Sequence, residues 1–244
     1  MSRKPGLFKQ LIIGLFLFAG LSACTPPNVV TGPDGGLNIL TLPLNFNVDD
    51  LPDGWFLAGS AEARQLAPDR KNPYTELRVS SGQEGFAVGR RTDASLLTTP
   101  YLSWRWNPQP GKWRHHPVRI LIGFNNGGPK PAKRQGIARV FPNLGQPPHD
   151  RGLSIVWGPS ALMRGTLIHL NAPDSTRKEA YYTVRGGQEN AGVWWKETID
   201  LSSLYAKAWP EDDPSQAQIV FIGIGTAKSN QPETSYIGDI RLSR

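Results

Sequence analysis

The chain has 244 residues, a formal net charge of +7 and a single cysteine, which excludes an intramolecular disulfide. Glycine (26) and proline (22) together make up about a fifth of it, a composition that suits turns and short strands and disfavours long helices. No helix-turn-helix, zinc-finger or RNP-like pattern accompanies the positive charge, so it does not point to nucleic acid.

The first stretch carries Arg3, Lys4 and Lys9 without an acid, and Leu11 to Leu21 holds only apolar residues and glycine. This is the n-region and h-region pattern of a secretory signal peptide, and the apolar run is far short of the ~20 residues of a membrane-spanning helix. It ends at Leu21-Ser22-Ala23-Cys24, which resembles the bacterial lipobox. The expectation is therefore a signal peptide over 1–23 and lipid attachment at Cys24, whose thiolate is the nucleophile that takes the diacylglyceryl group. At ~0.8 kcal/mol per buried methylene, two or three acyl chains hold a protein on a bilayer durably. Removal of Arg3, Lys4 and Lys9 lowers the charge from +7 to +4. Thr25 in place of aspartate favours the outer membrane by resemblance to enterobacterial sorting rules. Residues 24–37, rich in proline and glycine, read as the lipidated cysteine and a tether.

Residues 38–244 are expected to form one all-β sandwich or jelly roll. A first strand is predicted over Asn38–Phe46, with Pro43 placing it at a sheet edge. Strands follow at Trp55–Ala58, Thr75–Val79, Phe86–Gly89, Tyr101–Trp106 and Val118–Phe124. Alternation places Leu102, Trp104 and Trp106 on one face, and Val118, Ile120, Ile122 and Phe124 on another. The long connection Asn125–Gly152 carries Lys130, Lys133, Arg134, Arg139 and Arg151 against one acid, Asp150, and long loops of this kind are often functional. Further strands are predicted at Leu153–Trp157, Thr166–Leu170, Tyr181–Val184, Val193–Ile199, Ile219–Thr226 and Ser235–Leu242. A short helix is expected over Leu201–Trp209 behind a cap at Asp200.

The order of Leu102-Ser103-Trp104-Arg105-Trp106, Leu153-Ser154-Ile155-Val156-Trp157, Val193-Trp194-Trp195-Lys196-Glu197 and Tyr236-Ile237-Gly238-Asp239-Ile240 resembles the bacterial envelope family catalogued as domain of unknown function 3047. The resemblance spans roughly Leu44 to Leu242 and implies a galactose-binding-like jelly roll, a fold often used to hold glycans. It places an acidic pair where this chain has His115-His116, and aspartates where it has Thr226 to Asn230; any cation those acids hold in relatives would be lost here. Arg119 matches the family's arginine.

No catalytic residue, metal site or cofactor is assigned. His115 and His116 are adjacent and have no cysteine or carboxylate beside them, so they read as solvated loop histidines. Thr75-Glu76-Leu77-Arg78 and Ile168-His169 resemble pieces of jelly-roll alginate lyases, in which arginine neutralises the substrate carboxylate and histidine moves protons, but the remaining pieces are missing. Of the eight tryptophans, Trp104, Trp106 and Trp157 read as core. Trp113, beside Lys112 and Arg114 with no periodic partner, reads as an exposed indole or an ordinary surface aromatic. Trp194 and Trp195, being adjacent, should point to opposite faces. An exposed indole can stack on a pyranose while arginines bind hydroxyls or carboxylates.

The resulting expectation is a membrane-anchored envelope lipoprotein that recognises a glycan without catalysis, through Trp113, Arg114, Arg119, Lys133, Arg134 and Trp194. The alternatives are a structural or assembly lipoprotein that binds an envelope protein through the same loop and, third, a polysaccharide lyase.

Overall fold

A computed structural model describes residues 35–40, 47–69, 76–128, 145–170 and 178–244. Cys24, Lys133, Arg134 and the end of the first predicted strand lie outside them. The described residues form the expected all-β sandwich with one short α-helix.

The six-stranded sheet runs β11 (Trp195–Asp200), β6 (Tyr101–Pro108), β13 (Thr234–Ser243), β4 (Glu76–Ser80), β3 (Leu66–Asp69), and β1 (Leu37–Leu40) also pairs with β13. The seven-stranded sheet runs β2 (Trp55–Gly59), β5 (Phe86–Ser95), β12 (Gln218–Thr226), β7 (Val118–Asn125), β8 (Arg151–Gly158), β10 (Lys178–Gly186), β9 (Leu167–Leu170). Pairing is antiparallel except for β8 with β10, because the chain passes outward to β9 before β10 fills the place beside β8.

Side-chain alternation builds the core between the sheets. Val118, Ile120, Ile122 and Phe124 of β7 are buried, as are Leu102, Trp104 and Trp106 of β6. Trp104, Trp106 and Trp157 form an edge-to-face chain with centroids 5.7 and 5.4 Å apart, spacings at which aromatic pairs add stabilisation beyond burial. Arg185 of β10 reaches across to Glu197 of β11 at 2.6 Å and stacks 3.6 Å over the Trp195 ring, tying the two sheets together.

Helix α1 (Leu201–Ala208) begins where expected. The Asp200 side chain accepts from the Ser203 N–H at 3.0 Å, and Leu201, Leu204, Tyr205 and Ala208 are buried. Tyr205 and Trp209 pack on Phe124. Asp212, just beyond the helix, accepts both Arg151 Nε (2.6 Å) and Nη2 (2.8 Å) and the Tyr205 hydroxyl (2.9 Å).

Several strands depart from expectation: β10 runs Lys178–Gly186 where Tyr181–Val184 is predicted, and β11 begins at Trp195 and not at Val193. β3 was not anticipated, and β5 continues to Ser95 rather than stopping at Gly89. The described end of the long connection, 145–150, is bound to the sandwich: the Gly145 N–H donates to the Leu57 carbonyl at 2.6 Å, and His149 packs on Phe221 at 5.0 Å. Phe221 in turn meets Phe56 at 5.3 Å on the outer face of the seven-stranded sheet. Gly123 leaves the space for this cluster, since a β-carbon there would collide with the Phe221 ring.

Candidate functional site

The outer face of the seven-stranded sheet is read from its register. Ala58, Ala87, Gly225 and Arg119 stand opposite one another across β2, β5, β12 and β7. Three consecutive small residues therefore make a trough transverse to the strands, and Arg119 stands at its end. The next row carries Leu121, Ser154, Tyr181 and Ile168 across β7, β8, β10 and β9. Ser154 is small, so Arg119 can extend over β8, a distance of two strand spacings or roughly 10 Å. There Nη1 donates to the Tyr181 hydroxyl, and the guanidinium carbon lies 5.4 Å from the Tyr181 ring centroid.

Beyond that pair a cleft of 770 Å³ opens at the end of the sheet where β7 begins and β12 ends. Its lining combines the apolar set Pro117, Val156, Ile168 and Leu170 with Lys228, Ser229, Asn230 and Gln231 of the loop after β12. The trough adds 390 Å³, and Arg119, Leu170 and Tyr181 line both spaces. Ile168 and Leu170 are 47% and 41% exposed, so the apolar set is accessible.

The structure places the sequence candidates differently. Trp113 and Arg119 come together in the cleft lining, but Trp113 is not the exposed platform expected: it is only 9% exposed, its Nε1 donates to the Gln109 carbonyl at 3.1 Å, and it packs on His116 at 5.0 Å. Nor is His116 a solvated histidine, being 3% exposed. The Val118 N–H donates to its Nδ1 at 3.2 Å, which leaves Nε2 to donate to the Thr234 carbonyl at 3.2 Å. Burial pushes this imidazole down to about 4, so it is neutral near pH 7. His115 is exposed and lines the cleft. Arg114 is exposed on the same loop but is not among the cleft-lining residues.

Trp194 lies just before β11 of the other sheet, where its ring is 6.5 Å from Tyr236 and 5.3 Å from the Arg105 guanidinium. Its neighbour Trp195 packs against the core instead, so the two indoles do diverge. The lyase-like pieces are not brought together. Arg78 is on β4 of the six-stranded sheet, donating to the Arg64 carbonyl at 2.9 Å; His169 is on β9 of the other sheet, with Nε2 2.6 Å from the Ala208 carbonyl.

Tyr181 and Leu170 carry no motif in the sequence, and Ile168 enters there only with His169 as a lyase-like piece. Their only signal as site residues was alternation, which puts Ile168 and Leu170 on the face of β9 opposite Leu167 and His169. Among the described residues, no three histidine, cysteine, aspartate or glutamate side chains group closely enough to hold a metal ion, and no helix is long and apolar enough to cross a membrane.

No protein-family model matches the chain, and no curated protein matches it. Solved structures do. Endoglucanase 3 of Trichoderma harzianum, from family GH12, is 9% identical over 72% of this chain and 80% of its own, with a TM-score of 0.43. The family 11 carbohydrate-binding module of a cellulosomal cellulase of Clostridium thermocellum is 12% identical over 87% and 96%, with a TM-score of 0.39. The xyloglucanase domain of a type three effector of Sinorhizobium fredii, in complex with cellobiose, is 10% identical over 88% and 99%, with a TM-score of 0.34.

Proposed function

We propose that this protein is a lipid-anchored lipoprotein of the outer membrane that binds a glycan without catalysis, in the cleft and trough joined at Arg119 and Tyr181. The observation that carries the reading is the pairing of surfaces in that cleft. A sugar ring offers apolar C–H faces and a rim of hydroxyls, and a site for it needs an apolar surface combined with a set of polar groups. Ile168, Leu170 and Val156 supply the first; Arg119, Tyr181, Ser229, Asn230 and Gln231 supply the second. The cleft volume of 770 Å³ is that of a small-ligand site, and the trough gives a longer chain room to continue. Anchoring is supported by the Leu21-Ser22-Ala23-Cys24 motif, with the following tether giving the sandwich reach.

A glycan array probed with the full chain tests the binding reading. Binding to at least one glycan class, weakened by Tyr181→Ala, is expected; silence across neutral and anionic glycans would sink it.

A further inference from the structure

The cleft carries fixed charge predominantly of one sign. Lys112, Arg119 and Lys228 line it. The carboxylate among its described lining residues, Glu233, is buried and accepts from the Lys112 backbone N–H at 3.1 Å. Glu179 lies on the trough side of the junction. Lys228 meets Glu84 only at 3.9 Å, with both side chains largely exposed, an arrangement that screening leaves weak.

Arg119 is the informative member. Among the described residues its guanidinium touches the Tyr181 hydroxyl and ring and forms no ion pair with a carboxylate. A half-buried guanidinium fixed by a phenol and lacking a counter-charge is a preorganised planar fork. That geometry matches a carboxylate in bidentate fashion and loses little freedom on binding. Tyr181 takes one of its five N–H donors, leaving the remainder for a ligand.

Building on the glycan reading above, we infer that the sugar taken by this site carries a carboxylate: it is a uronic acid unit clamped by Arg119 and flanked by Lys112 and Lys228. The apolar strip of Ile168 and Leu170 then receives the ring, while Asn230 and Gln231 face its hydroxyls.

The test is isothermal titration of the full chain with oligogalacturonate and oligomannuronate, with methyl-esterified oligogalacturonate and dextran sulfate as comparisons. The native chain, Arg119→Gln and Arg119→Lys are run in parallel, with a thermal melt of each to confirm folding. The acid form should bind at least about tenfold tighter than its ester, the range expected for hydrogen bonds to a charged group. Arg119→Gln should erase that preference, bringing acid affinity down to that of the ester with the melting temperature kept, and Arg119→Lys, a point charge without the fork, should recover only part of it.

Equal affinity for acid and ester, an Arg119→Gln variant that keeps the preference, or dextran sulfate bound as tightly as the uronates would overturn the inference. If neither acid nor ester binds, the inference also fails. A neutral glycan bound on the array would then leave the broader glycan reading standing, whereas a silent array removes both.

Discussion

Tyr181 holds Arg119 in two ways, by its hydroxyl and by its ring face, and the two are separable. Tyr181→Phe keeps the ring and removes one charge-assisted hydrogen bond, so glycan affinity should fall about threefold to tenfold with little change in melting temperature. Native affinity in that variant would show that the hydroxyl does not position Arg119. His116 gives a pH signature. Its folded value, about 4, lies below the ordinary 6.5 because burial disfavours the imidazolium. Stability is then complete above about pH 6.5 and falls as pH drops from there toward 4, by up to about 3 kcal/mol. Chemical denaturation across that range should show the loss, and His116→Gln, less stable at pH 7, should show a flatter profile. An unchanged slope would contradict the assignment. His116 and Trp113 were legible as aromatic loop residues but not as buried ones. Their rings bond to the Thr234 and Gln109 carbonyls, contacts that leave no periodic mark.

At the scale of elements, the clearest case is the attachment of α1. Arg151 and Asp212 are almost fully buried and bonded in bidentate fashion, and Tyr205 adds a third bond. Burial alone would raise the Asp212 carboxyl, but the bonds from Arg151 and Tyr205 outweigh it and hold the group below the usual aspartate value. Its contribution is therefore present above the ordinary aspartate range and lost as pH falls through the lowered folded value, a window more acidic than that of His116. Asp212→Ala leaves a buried guanidinium without its partner and should cost about 3 to 5 kcal/mol in denaturant unfolding, whereas the double variant Arg151→Met with Asp212→Leu should cost clearly less. Equal losses would mean that the pair is not coupled. The helix itself was readable because Asp200 precedes a run with apolar residues at Leu201, Leu204 and Tyr205. β3 was not, since Leu66-Ala67-Pro68-Asp69 contains a proline and shows no alternation; it is tolerated as a strand because it is the edge of its sheet. The latter half of β5, Arg90 to Ser95, reads as polar loop. It is extended because β12 supplies backbone partners as far as Ser95, information held in another part of the chain.

For the whole molecule, the sandwich depends on the tryptophan chain between its sheets. Trp157 is fully buried, packs on Trp106 and donates from Nε1 to the Gly187 carbonyl at 3.1 Å. Trp157→Ala should cost about 3 to 5 kcal/mol in denaturant unfolding; a loss under about 1 kcal/mol would show that the core is not organised around it. The proposed lipid anchor belongs to this scale too: Cys24→Ser should abolish palmitate labelling and move the protein out of the membrane fraction, and retained labelling would exclude Cys24 as the attachment point. Most of the sandwich was readable from alternation, whereas the site was readable only as Arg119 and the neighbourhood of Trp113. A groove made by Ala58, Ala87, Gly225 and Arg119, residues 58 to 225, exists only after register brings four separate strands into line.

The most direct measurement is hydrogen exchange of the full chain with and without a bound glycan. Slowed exchange is expected in the two cleft loops, residues 112–117 and 227–233. Protection around Trp194 and Tyr236 on the opposite sheet, with those loops unchanged, would contradict the account.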